Sequence, residues 1–371
     1  MEEQFQAIHI GIRRSGIEKL FPEKLAQKIP EDIHQINLEN ADRGECRYTL
    51  SDMLCAKKIA SLRKMAKLHG LKGFSKKDRG EIVPPLMEKI MDPERLTLSL
   101  LLLQEEEWDL FQKAVRVEEI ADNELLSVEY WYLLKMGYMC LYYSDDHFRY
   151  IVPREIRDAF KEIEKTGFSA RKEHEDLLNK YALATTNLYG AITCDDFVEI
   201  FNQQNERKTS IEESFSVLMT FVYLDYGYCF WDEYLVNDDF EEDDFESVED
   251  YMKIAAQKPR YLPPQKELLR YSDWSYVEPT PQLRNLRTYL SCDLSLGVGS
   301  TEDLLEKIAY LCRCEGSNQR FFDLLEEMEI SLDFEQMRTL LTLVTEVQNH
   351  SRLWINNGHT PGSYFRRKES I

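Results

Sequence analysis

The sequence predicts a mainly α-helical, multi-domain protein with one or two short β-hairpins in winged-helix-like units and a C-terminal helical bundle. Three observations carry this. Apolar residues recur at helical spacing through most of the 371 residues. Two aromatic and β-branched stretches flank short polar turns, Ser144 to His147 and Asp232-Glu233. Beyond residue 258, helical segments follow one another with short connections, as in a bundle. A hydrophobic content of 43% and an aromatic content of 12% fit globular domains rather than disorder.

The order of elements suggests five parts: an N-terminal segment (1–47), a basic helical domain (48–92), a first winged-helix-like unit (93–166), a second with an acidic loop (167–257), and the C-terminal bundle and tail (258–371). In the basic domain, Thr49 or Ser51 caps a first helix. Ile59, Leu62, Met65 and Ala66 share one face of a second helix, from Ile59 to His69, and Gly70 ends it. Leu71 to Lys77 reads as a tight basic turn. Ser75 would cap the next helix, with Pro84 and Pro85 breaking it.

Charge sets this part off from the rest. The chain carries net −21, yet Tyr48 to Met91 holds ten Lys/Arg (Lys57, Lys58, Arg63, Lys64, Lys67, Lys72, Lys76, Lys77, Arg79, Lys89) against four acids. Charge segregated this way calls for a partner of opposite sign. The residues Leu50, Leu54, Leu62-Arg63, Ala66-Lys67, Gly70-Leu71, Gly73 to Lys76, Glu81-Ile82 and Leu86 make this stretch resemble the Rho termination factor N-terminal domain, related to SAP domains. The resemblance covers residues 48–91, and the Pro84-Pro85 pair departs from it. It implies contact with DNA or RNA phosphates by Lys72, Lys76, Lys77 and Arg79. The competing reading is a helix pair that packs on the rest of the chain or on an acidic protein surface.

The next segment runs helix (Glu105 to Val115), helix (Asn123 to Met136), hairpin (Tyr138 to Val152), helix (Arg154 to Lys165). Helices at Arg171 to Thr185, Asp195 to Gln203 and Ile211 to Leu224 then precede a second hairpin. Gly137-Tyr138-Met139-Cys140 is echoed by Gly227-Tyr228-Cys229. A winged helix reads DNA through its last helix before the wing. Here those helices are acidic. Glu124 and Glu129 face only Lys135, and Glu212 and Glu213 face no base, so phosphate would be repelled. Packing or protein binding is the favoured role for both units.

From Thr209 to Met252 there are fourteen Asp/Glu and no Lys or Arg. The run Asp238, Asp239, Glu241, Glu242, Asp243, Asp244 is broken by Phe240. Three readings stand: an exposed solubilising loop, a divalent-cation site, and a surface for a basic protein or one imitating DNA. No EF-hand spacing is present. Residues Lys258 to Pro264 read as a linker by composition.

The tail Asn349 to Pro361, with Leu188 to Ile192, Phe197 to Asn202 and Lys258 to Pro263, is similar to an uncharacterised family of Gram-positive bacteria and their mobile elements. Its members often end in a SEC-C zinc motif, and this chain ends in Arg366 to Ile371 instead. The resemblance therefore transfers no metal site. Cys312 and Cys314 are a close pair with His350 and His359 downstream; a zinc site would need the second pair brought near in space, and Cys312 reads instead as a residue of a buried helix face. Gly297 to Ser300 reads as a loop before a helix, and His9, His34, His69, His147 and His174 as isolated surface residues.

No catalytic motif is found, and neither cofactor nor structural metal is expected. The longest apolar stretch, Leu96 to Leu103, is too short to cross a bilayer. Eight scattered cysteines without a secretion signal read as reduced thiols in the cytoplasm. The expectation is a non-enzymatic regulatory or adaptor protein contacting DNA or RNA. The alternative is an acidic protein-binding module, or a DNA-mimicking inhibitor from a mobile element, that captures a basic protein.

Overall fold

The computed structural model describes residues 30–222, 227–314 and 318–363. The expectations for His9, for the end of the helix at Leu224 and for the tail from Arg366 lie outside these residues, as do the side chains of Glu242 and Asp243. The described chain is mainly helical with two small sheets, one of four strands and one of three. It divides into two compact units between Glu175 and Asp176.

The first unit opens with α1 (Pro30–Asn40), β1 (Asp42–Arg43), α2 (Leu50–Ala56), α3 (Ile59–Leu68) and α4 (Arg79–Ile90). Thr49 caps α2, accepting from the Asp52 amide at 3.2 Å. Gly70, at φ +73, ends α3, and the Leu71 amide reaches back to the Ala66 carbonyl at 2.9 Å. Two expectations are corrected here. The cap of α4 is Asp78 rather than Ser75, in a reciprocal box with Glu81. Pro84 and Pro85 also do not break α4. They forfeit two backbone bonds in its middle, but Ile82, Val83, Leu86 and Ile90 bury one face, and that burial keeps the helix whole.

After α4 come α5 (Pro93–Leu101), α6 (Glu105–Ala114), β2 (Ile120–Ala121), α7 (Ser127–Met136), β3 (Cys140–Ser144), β4 (His147–Ile151) and α8 (Arg154–Glu164). The sheet order is β1-β3-β4-β2. Asp145 and Asp146 both have positive φ, which a two-residue hairpin turn with the strands' own twist demands. One apolar core runs from Leu50 through Ile90, Phe111, Tyr130 and Tyr150 to Phe168. The basic helices and the first hairpin unit therefore share a core.

α9 (Phe168–Tyr189) carries the chain into the second unit. Near its start the fully buried Lys172 donates to the Leu101 and Leu103 carbonyls, at 3.0 and 2.8 Å, at the C-terminal end of α5. Then follow β5 (Ala191–Thr193), α10 (Cys194–Gln204), α11 (Ile211–Val222), β6 (Tyr228–Trp231) and β7 (Tyr234–Asn237). The sheet order is β5-β7-β6, with β6 at an edge. A 3-10 turn (Asp238–Asp243) leads to α12 (Val248–Ala255) and the short α13 (Gln265–Leu268). Finally α14 (Pro281–Thr288), α15 (Val298–Arg313), α16 (Asn318–Glu327) and α17 (Phe334–His350) enclose a core of Leu286, Leu290, Leu304, Ile308, Leu325 and Leu340. Gly297 is the N-cap of α15, and Gly299 and Ser300 lie in its first turn rather than in a loop.

Candidate nucleic-acid interface

Lys72 and Lys76 stand exposed on the turn between α3 and α4. Two apolar side chains, Leu71 and Phe74, turn inward and pack on the core, and this holds the turn. Arg63 adds a bond from Nη2 to the Lys77 carbonyl at 2.9 Å. The Lys77 ammonium lies 4.8 Å from the Phe74 ring centre, and Arg79 donates to the Lys57 carbonyl at 3.0 Å. Lys77 and Arg79 are thus partly engaged with their own chain, while Lys72 and Lys76 are free to meet a partner.

Exposed Lys58, Lys64 and Lys67 on α3 resemble Lys72 and Lys76 in one respect: none has a carboxylate partner among the described residues. Several cations elsewhere do. Lys161 meets Asp158 at 2.8 Å, Arg171 meets Glu175 at 2.6 Å and Lys253 meets Asp250 at 3.0 Å. Lys57 is the exception within the island, paired with Asp42 at 2.8 Å. Lys135 on α7, the lone base of an acidic helix in the sequence, belongs with this basic surface. Its ammonium sits 3.7 Å from the Trp131 ring centre. Its pKa is held below the usual lysine value by burial, and further by the nearby charges of Lys64 and Lys57. No sequence signal links residues 64 and 135; the packing of α3 on α7 does.

The acidic run is not a loose loop. Asn237 caps its 3-10 turn, accepting from the Asp239 amide at 3.1 Å. Phe240 stacks on Trp354 and Phe245 on Trp231, with ring centres 5.9 and 4.8 Å apart. The two aromatic residues pin the turn, while Glu241 and Asp244 stay exposed and Asp238 and Asp239 are half-buried. Arg320 approaches Asp239 at 4.0 Å. Burial pushes the Cys229 thiol up to about 12, with Glu241 and Asp238 adding to it.

Residues 258–264 are a correction, since they tie the unit together rather than link parts of it. Lys258 Nζ donates to the Ile355 carbonyl at 2.6 Å, Arg260 pairs with Asp196 at 2.9 Å, and the Tyr261 amide donates to the Asn357 carbonyl at 3.0 Å. The Trp354 indole donates to the Asn187 carbonyl at 2.9 Å, and Tyr189 Oη to the Tyr261 carbonyl at 2.7 Å. The three stretches around 188–192, 258–263 and 349–361 are therefore neighbours in space. Their residues are engaged with one another, which gives them a structural use.

The histidine expectation is corrected too. His69 and His174 are buried and His34 is half-buried against Tyr143 and Phe148; of the described ones in that group only His147 is exposed. Helical periodicity places His69 and His174 on inward faces, which their polarity masks. Burial pulls the His69 pKa down to about 4, with the Met136 carbonyl opposing and Arg95 and Lys89 assisting. Cys312 faces the Val344 carbonyl and His359 packs on Tyr261, so they do not face a common point. Among the described residues no three His, Cys, Asp or Glu are grouped to hold a metal ion.

No family model, curated protein or solved structure matches this chain.

Proposed function

We propose that this protein is a non-enzymatic regulatory or adaptor protein that contacts DNA or RNA phosphates through a Rho-N/SAP-like module, using Lys72, Lys76, Lys77 and Arg79. Lys64 and Lys135 extend the cationic surface. One observation carries the reading: in a chain of net −21, Lys58, Lys64, Lys67, Lys72 and Lys76 are exposed without a carboxylate partner among the described residues. Exposed lysines that no carboxylate neutralises keep their charge available to a partner, and a phosphate backbone is a counter-charge they can meet. The setting we assign is the cytoplasm of a bacterium, on a mobile element.

The test is binding of the full-length protein to single- and double-stranded DNA and RNA over a salt series. The island shares a core with residues 93–168, so it is kept in place. Reversing Lys72, Lys76, Lys77 and Arg79 to Glu is expected to flatten the plot of log K against log salt by a slope of about 3, since each phosphate contact contributes about 0.7–0.9. Equal binding by the reversed variant overturns the reading.

A second reading concerns the acidic unit. Its elements α9, β5, α10, α11, β6 and β7 follow the order of a winged helix, and α14 to α17 are read as a helical bundle. α11 holds the position that reads DNA in such folds, yet it carries Glu212 and Glu213 and no base. Asp238, Asp239, Glu241, Glu242, Asp243 and Asp244 follow on the pinned turn. We assign this unit to a basic protein partner, as an acidic binding module or a DNA-mimicking inhibitor. Affinity for such a partner should fall as salt rises.

A further inference from the structure

β6 is an edge strand whose aromatic neighbours are left open. Trp231 and Tyr234 close a two-residue hairpin, and the closing pair of such a hairpin exchanges the backbone bonds. The N–H and C=O of the next residue, Phe230, therefore point to the outer side, where no strand pairs with β6 among the described residues. Successive side chains of a strand leave opposite faces. On one face Phe230 meets Phe215 of α11, with ring centres 4.8 Å apart; on the other Trp231 stacks on Phe245 at the same distance. Phe215 is 48% exposed, Trp231 40%, and Ile211, one turn before Phe215, 40%. Large aromatic residues this open on both sides of a free strand edge mark a docking surface.

The charge around the edge selects the occupant. Asp232 and Glu233 form the exposed hairpin turn, and Glu241, Asp244 and Glu246 are exposed on the side of Trp231 and Phe245. None of these five is in an ion pair among the described residues. Of the nearest cations along the chain, Lys208 donates to the Asn202 and Asn205 carbonyls, Arg207 pairs with Glu213, and Lys253 pairs with Glu249 and Asp250. Neither a nucleic acid nor a second copy of a chain of net −21 suits this rim.

We propose that the outer edge of β6 docks an extended, lysine- or arginine-rich segment of a partner protein. The segment adds as a strand beside Phe230. Its alternate apolar side chains rest on the two aromatic pairs, and its cations meet the surrounding carboxylates. The inference rests on the second reading above, the acidic unit as a protein-binding module, and names the form its partner takes.

The test uses the full-length protein and three synthetic peptides of about nine residues, a length that spans a short strand with flanks. One alternates lysine and valine, one is the same with alternate backbone amides methylated on the pairing edge, and one replaces lysine by glutamate. The lysine-valine peptide is expected to bind, to slow hydrogen exchange at the Phe230 amide about tenfold, and to lose affinity as salt rises. The methylated peptide should bind about tenfold more weakly, because it cannot complete the ladder. Trp231→Ser should weaken binding as well, while the methylated arm needs no variant that folds. If the methylated peptide binds equally well, or protection appears on α11 rather than at Phe230, strand addition is overturned and the acidic-module reading survives. If the lysine peptide binds no better than the glutamate peptide, both fall.

Discussion

His69 shows how one buried side chain ties stability to pH. It is the C-cap residue of α3, and its Nε2 lies 3.1 Å from the Met136 carbonyl at the end of α7. Burial favours the neutral ring, so the folded pKa of about 4 lies below the unfolded value of 6.5. The contribution is complete above about pH 6.5. It fades as pH falls toward 4, because only the unfolded chain takes up the proton. The full difference is about 3 kcal/mol. Acid unfolding of the first unit should steepen across this window, and His69→Gln should remove up to one proton's worth of slope. A ring signal from His69 that titrates near pH 6.5 in the folded protein would contradict this. Lys172 is a second buried polar side chain on which the first unit depends. Lys172→Met would leave the Leu101 and Leu103 carbonyls without their ammonium donor, and should destabilise the first unit by about 2–4 kcal/mol in a denaturant titration. The same force acts on Cys312, where burial pushes the thiol up to about 12 and leaves it a weak nucleophile. The melting temperature should be indifferent to a strong chelator.

At the scale of elements, Gly137 decides how closely α7 can approach its neighbours. It sits at φ +74, and an added Cβ would stand 2.7 Å from Met65 Cε and 3.0 Å from Ile90 Cδ1. Gly137→Ala combines left-handed strain with overpacking, and should cost about 2–4 kcal/mol in the same titration while leaving the second unit unchanged. The hairpins were legible in the sequence because aromatic and β-branched residues crowd both arms around a polar turn. The two-residue strands β1 and β2 were not, since a pair of residues carries no period. Nor was the survival of α4 through Pro84 and Pro85, because the compensation comes from Ile82, Leu86 and Ile90 meeting side chains distant in sequence. The basic residues were legible from charge alone. Which of them are free was not: Lys57 is taken by Asp42, and Lys135 joins from a helix that reads as acidic.

The whole molecule divides its charge as it divides its cores. Residues 1–175 hold 28 Lys/Arg against 32 Asp/Glu, whereas residues 176–371 hold 18 against 35. Self-repulsion therefore burdens the second unit, and salt should relieve it there. Hydrogen-exchange protection in the core of Leu178, Phe201 and Leu235 should rise between about 20 mM and 300 mM salt, with a smaller change around Leu62 and Phe111. Equal responses would show that pairing within the second unit already offsets its net charge. The shared core of the first unit has its own consequence. A fragment of residues 48–92 should lack a cooperative melt by circular dichroism, because Met65 and Ile90 lose the helix they pack against.

The bond from the Trp354 indole to the Asn187 carbonyl joins residues 167 apart. A ribosome delivers the chain from its N-terminal end, so the two units become foldable at different moments of synthesis. The first can close once α9 has emerged. The second must hold Gly190, Tyr189 and Tyr251 open until the residues around Trp354 arrive, since the ring fills the space beside Gly190 and the Trp354 carbonyl accepts from Tyr251 Oη. During that interval Gly190 and Tyr251 lack their contacts with Trp354, and the unit's dense negative charge should keep neighbouring nascent chains apart.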